Sequence, residues 1–197
     1  MKVLIAVDMQ NDFIDGALGT QEAQAIVAPV EKKIREFDGL VILTRDTHQE
    51  NYLKTQEGRN LPVEHCIQGS DGWQISPAVM EAARAQAQMQ DEVHEDDSEE
   101  AAVELEFEPV IFDKPAFGSM ELGTALAKCN EEEPVESVEL VGLCTDICVI
   151  SNAMIVKASL PEVPVFVDAS CCAGVTPESH QRALAAMEAC QIRILNA

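Results

Sequence analysis

The sequence has few basic residues and no long hydrophobic run. Only 13 Lys and Arg stand against 35 Asp and Glu in 197 residues, so the formal net charge is −22. Nucleic acids and anionic membranes attract basic surfaces, and this charge therefore argues against both as partners. No apolar run approaches the roughly 18 residues of a membrane-spanning helix. The apolar stretch at residues 2–7 runs directly into acidic residues, which is typical of a strand rather than a signal peptide.

The seven cysteines show no pairing pattern. They include no CxxC pair, their number is odd, and the adjacent Cys171 and Cys172 are poorly placed to bond to each other. This favours free thiols in a reducing, cytoplasmic compartment. With 47% hydrophobic residues, a chain of this length can bury a core without disulfides or a structural metal.

The apolar residues form short runs that alternate with helical patterns. We predict six strands, at Lys2–Val7, Leu40–Thr44, Pro109–Phe112, Val138–Leu143, Val163–Val167 and Ile192–Leu195. Apolar spacing and composition predict helices at Thr20–Phe37, Pro77–Gln90, Asp146–Ala158 and Pro177–Ala189. This alternation implies an α/β fold of three layers (α/β/α), with a mainly parallel sheet covered by helices on both faces. We expect residues 1–197 to form a single domain.

One segment differs from the rest in composition. Residues 91–108 are rich in Asp and Glu and contain neither Lys nor Arg. Such a run predicts an acidic insertion on the surface. A role in docking a partner or collecting cations is the alternative.

Polar residues follow four of the predicted strands directly. Asp8 follows the first strand, Asp46 and His48 the second, Lys114 the third and Cys148 the fourth. In parallel sheets, ligands bind beyond the carboxyl ends of the strands. We therefore expect these side chains to share one edge of the sheet and to form a site there.

The cysteines after the fourth strand are candidate nucleophiles. Cys148 lies near the start of a predicted helix, where the dipole and free N–H groups favour a thiolate. Thr145 or Asp146 could cap that helix. Cys144 is an alternative nucleophile, and a small buried hydrophobic residue is the ordinary structural role of either cysteine.

A nucleophilic thiol also needs a base and a charge partner. Asp8 ends an apolar strand, so we expect burial to raise the pKa of its carboxyl group. Lys114 ends another apolar strand and can supply positive charge. Read alone, a turn residue and a surface lysine are the structural alternatives.

Asp46 and His48 stand two residues apart in a predicted extended segment. Residues at that spacing face the same way, and a carboxylate with an imidazole is a workable pair of metal ligands. His65 lies 17 residues after His48 and is a third candidate ligand. Turn and capping roles are the alternative.

Taken in order, these residues match a known family. The run Asp-Met-Gln-Asn-Asp-Phe at residues 8–13, the lysine after the third strand and the run Gly-Leu-Cys-Thr-Asp-Ile-Cys-Val at residues 142–149 resemble the isochorismatase-like cysteine hydrolases. The resemblance extends from about residue 3 to residue 195 and is strongest to the nicotinamidases. It implies a Rossmann-like sheet of six strands in the order 3-2-1-4-5-6.

The resemblance assigns roles to these residues. It implies Cys148 as the nucleophile, Asp8 as its base and Lys114 as the third catalytic residue. It also implies a cis peptide bond between Leu143 and Cys144. That bond would aim the main-chain N–H groups of Cys144 and Cys148 into an oxyanion hole.

The nicotinamidase branch carries a metal site. The resemblance implies Asp46, His48 and His65 as ligands of one divalent transition metal, and this ligand set suits Zn, Fe or Mn. It implies no organic cofactor. Some nicotinamidases add a glutamate 11 residues after the aspartate, a spacing that Glu57 meets. Whether Glu57 is a ligand stays open, because the loop before His65 is one residue longer here.

The substrate pocket departs from the family pattern at one position. The resemblance implies that Phe13 packs on the substrate ring and that Leu143 lines the pocket. Many nicotinamidases have an aromatic residue three positions before the last ligand histidine, where this chain has Pro62. A different aromatic residue could take that place, and the candidates are Phe13, Tyr52, Trp73 and Phe117.

These features together predict a cysteine amidohydrolase that converts nicotinamide and water into nicotinate and ammonia through a thioester. An amidase for a carbamoyl or ureido compound is one alternative. Hydrolysis of isochorismate and a non-catalytic thiol module on the same fold are the others. The resemblance further implies a homo-oligomer that acts on a small-molecule amide, and the unpaired cysteines favour a cytoplasmic location.

Overall fold

The computed structural model describes residues 1–92 and 108–197. Its strands are β1 (Lys2–Val7), β2 (Leu40–Asp46), β3 (Val110–Lys114), β4 (Ser137–Leu143), β5 (Val165–Ala173) and β6 (Arg193–Leu195). Its α-helices are α1 (Asn11–Ile14), α2 (Gln21–Ala25), α3 (Val27–Glu36), α4 (Gln56–Asn60), α5 (Pro77–Glu92), α6 (Met120–Glu132), α7 (Ile150–Ser159) and α8 (Pro177–Ala189). A 3₁₀ turn at Tyr52–Lys54 and a π-helical turn at Thr145–Val149 complete the described elements.

The six strands form one parallel sheet in the order β3-β2-β1-β4-β5-β6. The predicted α/β class and strand order are therefore confirmed. After the exposed Lys2, the central strand β1 is a continuous apolar run, because helices bury both faces of the sheet. The acidic segment predicted at residues 91–108 lies almost entirely outside the described residues. Within the described ranges, no helix is both long and apolar enough to cross a membrane.

Alternate residues of β1 belong to two separate halves of the core. Val3, Ile5 and Val7 pack in the half that includes side chains of α6, α7 and α8. Leu4 and Ala6 pack in the half that includes α3 and α5. This is the period of two that a strand imposes. The sheet is thus held between two packed layers.

Two predicted helices differ from the observed ones. The helix expected at Thr20–Phe37 is divided into α2 and α3 at Ile26. Pro29 causes the division, because it has no N–H to donate to the carbonyl four residues earlier and its ring crowds that carbonyl. The sequence reading also missed α6. The sequence does carry signals of this helix, because Ser119 is a typical N-cap residue and the apolar residues after it keep helical spacing. In the structure Ser119 caps the helix by accepting from the Leu122 N–H.

Three predicted strands end later than expected. β2 extends to Asp46 and β3 to Lys114, and these two residues are partners in the parallel register. β5 runs to Ala173 rather than to Val167. Its polar residues coincide with a shift in the register to β4 between Leu140 and Gly142. Asp168 is accommodated there because it pairs with Lys33, and it also stays in register with Leu195 of β6.

Gly142 fits a close approach between β4 and β1. Its φ is +113°, in the region that favours glycine. A Cβ atom there would lie 2.2 Å from the carbonyl oxygen of Val7. The glycine therefore lets the end of β4 lie against the end of β1 just before the segment that carries Cys148.

Candidate active site

Three chemically different side chains meet at the carboxyl ends of β1, β3 and β4. Lys114 Nζ lies 2.6 Å from Asp8 Oδ2 and 3.5 Å from Cys148 Sγ. All three residues are buried, and at most 4% of any of them is exposed. The predicted carboxylate, ammonium and thiol are therefore brought together in one site.

Asp8 is held by the neighbouring strand β2. The Asp8 N–H donates to both the carbonyl oxygen and Oγ1 of Thr44, each at 3.2 Å. Thr44 Oγ1 in turn donates to Asp8 Oδ1 at 2.6 Å. Asp8 has a φ of +49°, a left-handed conformation that turns the chain at the end of β1. Burial raises the pKa of the Asp8 carboxyl group even with Lys114 beside it, as the sequence reading expected.

Lys114 remains charged in this environment. Burial by itself lowers the pKa of Lys114, but the carboxylates of Asp8 and Asp46 outweigh that effect and raise the pKa. Its Nζ also donates to Asp46 Oδ1 at 3.2 Å and to the carbonyl oxygen of Ala116 at 3.1 Å. The ammonium thus links Asp8 and Cys148 to the Asp46 carboxylate.

Cys148 lies in the π-helical turn between β4 and α7. Burial raises the pKa of the Cys148 thiol well above its usual value, and the Asp8 carboxylate raises it further. Because the thiol holds its proton in this setting, it needs a base within reach to become a nucleophile. Burial raises the pKa of the alternative thiol, Cys144, to about 12.

The capping prediction for this turn was wrong. Neither Thr145 nor Asp146 caps the helix through its side chain. Thr145 Oγ1 instead forms a hydrogen bond of 2.8 Å with His180 Nδ1, and Asp146 Oδ1 accepts from the Val175 N–H at 3.0 Å. Both side chains fasten the turn to the segment around the start of α8.

Four potential metal ligands cluster beside Lys114. Asp46, His48, Glu57 and His65 each place one ligand atom within 4.8 Å of the others. His48 Nε2 lies 2.9 Å from Asp46 Oδ2 and 3.4 Å from Glu57 Oε1. His65 Nε2 lies 3.7 Å from Asp46 Oδ2. The structure thus brings the three predicted ligands together and adds Glu57, the residue whose participation the sequence left open.

The donor atoms in this cluster fit a divalent cation. His65 Nδ1 is 2.8 Å from the carbonyl oxygen of Val63, so that nitrogen carries the proton and Nε2 keeps its lone pair. Within the described residues, His48 Nε2 is buried and completes no hydrogen bond. Burial lowers the pKa of His48, but Asp46 and Glu57 outweigh this effect and raise it. The cluster therefore favours positive charge at its centre.

Side chains from other segments support the two histidines. The ring centroid of Tyr52 lies 4.6 Å from that of His48 and 4.9 Å from that of His65. The Tyr52 hydroxyl donates to the carbonyl oxygen of Leu61 at 3.0 Å. Tyr52 therefore packs against the ligand cluster and does not line the neighbouring cavity.

A cavity of about 280 Å³ opens onto both clusters. Asp46, His65 and Cys148 form part of its polar end, whereas its walls are mainly apolar. The predicted pocket residues Phe13 and Leu143 line it, and Leu61 and Phe117 add further wall. Among the aromatic candidates for the place of Pro62, Phe13 and Phe117 line this cavity, whereas Trp73 is engaged by Arg45, which lies 3.5 Å from its ring centroid.

The sequence of the chain matches one known protein family along almost its whole length. The isochorismatase domain family matches residues 2–197. The chain belongs to the isochorismatase family. This confirms the resemblance seen in the sequence, and the cis peptide bond that it implied between Leu143 and Cys144 is present.

Individual members of the isochorismatase family are similar over the full chain. A nicotinamidase/pyrazinamidase of Mycobacterium tuberculosis is 24% identical over 209 residues, which cover 99% of this chain and 98% of that protein. The pyrazinamidase of Pyrococcus horikoshii, solved in complex with zinc, is 29% identical with a TM-score of 0.72, covering 100% and 99% of the two chains. A pyrazinamidase/nicotinamidase of Streptococcus mutans is 26% identical with a TM-score of 0.73, and the match covers 99% of this chain and 100% of that one.

Sequence reasoning missed several residues that support this isochorismatase-fold site. Thr44 contacts Asp8, Asn152 contacts Cys148, and Tyr52 contacts the two histidines. Gln10 was part of the first motif but had no role assigned, although it binds the main chain of Asp46. These partners come from different segments, and no local pattern identifies the roles of Thr44, Tyr52 and Asn152.

Proposed function

We propose that the protein is an amidohydrolase that converts nicotinamide and water into nicotinate and ammonia. One observation carries the proposal. Lys114 Nζ contacts Asp8, lies 3.5 Å from Cys148 Sγ and also contacts Asp46 of the ligand cluster. Cys148 and the candidate metal ligands Asp46, Glu57 and His65 thus border the same cavity, and the buried Asp8 and Lys114 lie directly behind them. This arrangement suits an amide on a ring with a donor atom.

The reaction begins at the Cys148 thiol. Asp8 removes the thiol proton, and the sulfur forms a bond to the amide carbonyl carbon. Lys114 keeps its positive charge beside both anionic groups. The main-chain N–H groups of Cys144 and Cys148 are the proposed donors to the oxyanion. The C–N bond then breaks, Asp8 returns the proton to the nitrogen, and ammonia leaves a thioester behind.

Water completes the cycle. The oxygen of a water molecule attacks the thioester carbon while Asp8 accepts a proton from that water. The C–S bond breaks, the acid product is released and the Cys148 thiol is restored. The raised pKa of Asp8 suits this role, because a base that must also return a proton works best when its pKa lies close to the working pH.

Asp46, His48, His65 and Glu57 are the residues that would hold a divalent metal. When bound, the metal supplies a Lewis acid that can hold the ring nitrogen of the substrate. Zn, Fe and Mn all suit two imidazoles with carboxylates. The orphaned Nε2 of His48 and the oriented ring of His65 support this assignment.

The pocket walls are proposed to select a small, flat substrate. Phe13 lies against His65, with 5.5 Å between ring centroids, and borders the same cavity as Cys148. An aromatic ring held there would pack on Phe13 while its amide faces the thiol. Leu143 and Phe117 supply further apolar wall.

Ammonia release tests the proposal directly. Purified protein, reduced and loaded with Zn²⁺, Fe²⁺ or Mn²⁺, is given nicotinamide before and after treatment with a chelator. We expect rapid ammonia release that chelation abolishes and metal restores. If the folded, loaded protein releases no ammonia from nicotinamide but does so from a carbamoyl or ureido compound, the substrate assignment is wrong.

The remaining expectations stay predictions. We propose a single domain and a cytoplasmic homo-oligomer that acts on a small-molecule amide, with neither nucleic acid nor membrane as partner. The strongly negative charge argues against nucleic acid and membranes as partners, and it also favours release of an anionic product. Sedimentation of the purified protein tests the oligomeric state.

A further inference from the structure

The side chain of Asn152 joins the nucleophile to the loop that follows β3. Asn152 lies four residues after Cys148 and is completely buried. Its Nδ2 donates to the carbonyl oxygen of Cys148 at 2.9 Å and to that of Phe117 at 3.3 Å. Its Oδ1 accepts from the Ser119 N–H at 3.0 Å. One amide therefore binds main-chain groups of both segments.

The loop that Asn152 holds contributes two parts of the site. The carbonyl oxygen of Ala116 accepts from Lys114 Nζ at 3.1 Å, which fixes the direction of the ammonium. The Phe117 side chain lines the wall of the substrate cavity. The Asn152 amide thus sets the distance between the Cys148 main chain and the segment that orients Lys114.

An apolar side chain would be the ordinary choice at this position. Neighbours of Asn152 in the sequence, Val149, Ala153 and Val156, are fully buried in one apolar core. Burying an amide there costs free energy unless its groups are hydrogen bonded, and here both ends are. A satisfied polar group in a core specifies one arrangement of the elements it joins, which is what a reacting thiol requires.

We propose that Asn152 is a positioning residue for the reaction of Cys148. It touches neither the reacting atoms nor the cavity and acts through the Cys148 main chain and the Phe117 loop. The inference rests on the proposed function. It adds that the alignment of sulfur, base and ammonium depends on a side chain outside the catalytic group.

The test replaces Asn152 by a residue of equal size. Asn152→Asp keeps the oxygen that accepts from Ser119 and removes the donors to Cys148 and Phe117. Asn130→Asp is the matched control, because Asn130 Oδ1 accepts from the Val135 N–H at 2.8 Å near the end of α6, outside the site. Phe117→Ala removes the pocket wall while leaving the main-chain carbonyl in place.

Two readouts separate positioning from simple stabilisation. With nicotinamide, we expect kcat of Asn152→Asp to fall by at least about tenfold, because misplacing a reacting group by about 1 Å can cost 10²-fold. KM should change by less than about threefold, whereas Phe117→Ala should change mainly KM. Alkylation of Cys148 by iodoacetamide, located by mass spectrometry, should slow in Asn152→Asp. Exposed Cys190 serves as the internal standard.

The outcomes are distinct. A lower melting temperature with unchanged kcat and unchanged Cys148 alkylation would show that Asn152 only stabilises the fold, and the proposal would be wrong. If the wild type does not hydrolyse nicotinamide, the substrate proposal fails, but the alkylation rates still decide the role of Asn152. If Asn152→Asp does not fold, Asn152→Ala takes its place, since it puts no charge in the core and also lacks the donors.

Discussion

The side-chain amide of Gln10 binds both the N–H and the carbonyl oxygen of the Asp46 main chain. Gln10 Nε2 donates to the Asp46 carbonyl oxygen at 2.9 Å, and Gln10 Oε1 accepts from the Asp46 N–H at 2.7 Å. Nε2 also donates to the carbonyl oxygen of Trp73 at 2.9 Å. Gln10 is fully buried, so nothing from the solvent replaces these bonds. A residue just after β1 thereby holds a candidate metal ligand at the end of β2.

Gln10→Met should weaken metal binding without removing a ligand. Methionine has a similar size, but it leaves the Asp46 main-chain groups unpaired, so the carboxylate loses its fixed position. Losing such a partner of a ligand typically costs 10–100-fold in metal affinity. Competition with a chromophoric chelator for Zn²⁺ measures the affinity. Gln24→Met, on the exposed side of α2, is the control, and equal affinities in both variants would contradict the role given to Gln10.

Asp8→Asn should abolish turnover and leave the fold intact. The asparagine cannot accept the thiol proton, and loss of general base catalysis typically costs about 10²–10⁴ in rate. Lys114 keeps Asp46 as a charge partner, so the substitution leaves no isolated buried charge. Ammonia release and circular dichroism measure the two effects. Asp113→Asn, which removes a half-exposed partner of Arg45, should keep its activity, and activity retained in Asp8→Asn would remove Asp8 from the mechanism.

Glu57→Gln tests whether Glu57 is a metal ligand. Its Oε1 lies 3.4 Å from His48 Nε2 and 3.8 Å from His65 Nε2, close enough to share one ion with them. We expect Zn²⁺ affinity to fall by at least about tenfold, the lower end of what loss of a ligand's partner costs. Glu50→Gln is the matched control on the exposed surface nearby. If both variants bind Zn²⁺ like the wild type, Glu57 is not a ligand.

Much of the fold could be predicted because buried parallel strands leave a strong sequence signal. β1 was predicted with its correct bounds, Lys2–Val7, because the five residues after Lys2 are a continuous apolar run that is buried on both faces of the sheet. β5 ended too early in the prediction because Asp168 and Ser170 interrupt its apolar run. Those polar groups are paired with each other and with Lys33 in the folded chain. Such pairings join distant segments and cannot be read from local composition.

The candidate site was predictable where chemistry follows directly after a strand. Asp8, Lys114 and Cys148 could be grouped because parallel strands end at one edge of the sheet. Glu57 could not be assigned, since its position depends on the path of a loop with a short helix. Asn152 gave no signal either, because a polar residue within an apolar helix acquires meaning only from the main-chain groups that it meets.

The ion pair between Lys33 and Asp168 makes a prediction about acid stability. The Asp168 side chain is only 1% exposed and pairs with Lys33, which also lies 2.5 Å from Glu139. Ser170 Oγ donates to Asp168 Oδ1 at 2.7 Å, and Asn196 Nδ2 donates to Asp168 Oδ2 at 3.0 Å. Burial raises the pKa of Asp168, but these donors outweigh it and lower the pKa below its usual value.

Because the pKa is lower in the folded state, the ionised carboxylate stabilises the fold above the unfolded pKa of about 3.9 and loses this effect as pH falls through the folded value. Asp168→Asn should lower the free energy of unfolding by about 1–3 kcal/mol at pH 7, since it removes hydrogen bonds to a charged acceptor. The difference in free energy of unfolding between the wild type and Asp168→Asn should stay constant from about pH 8 to 5 and shrink below about pH 4. Urea unfolding at each pH measures it. Asp38→Asn is the control, because Asp38 forms an exposed pair with Lys2 and its loss should change the free energy of unfolding at pH 7 by less than about 1 kcal/mol. A loss of stability in Asp168→Asn that persists in acid would contradict the assignment.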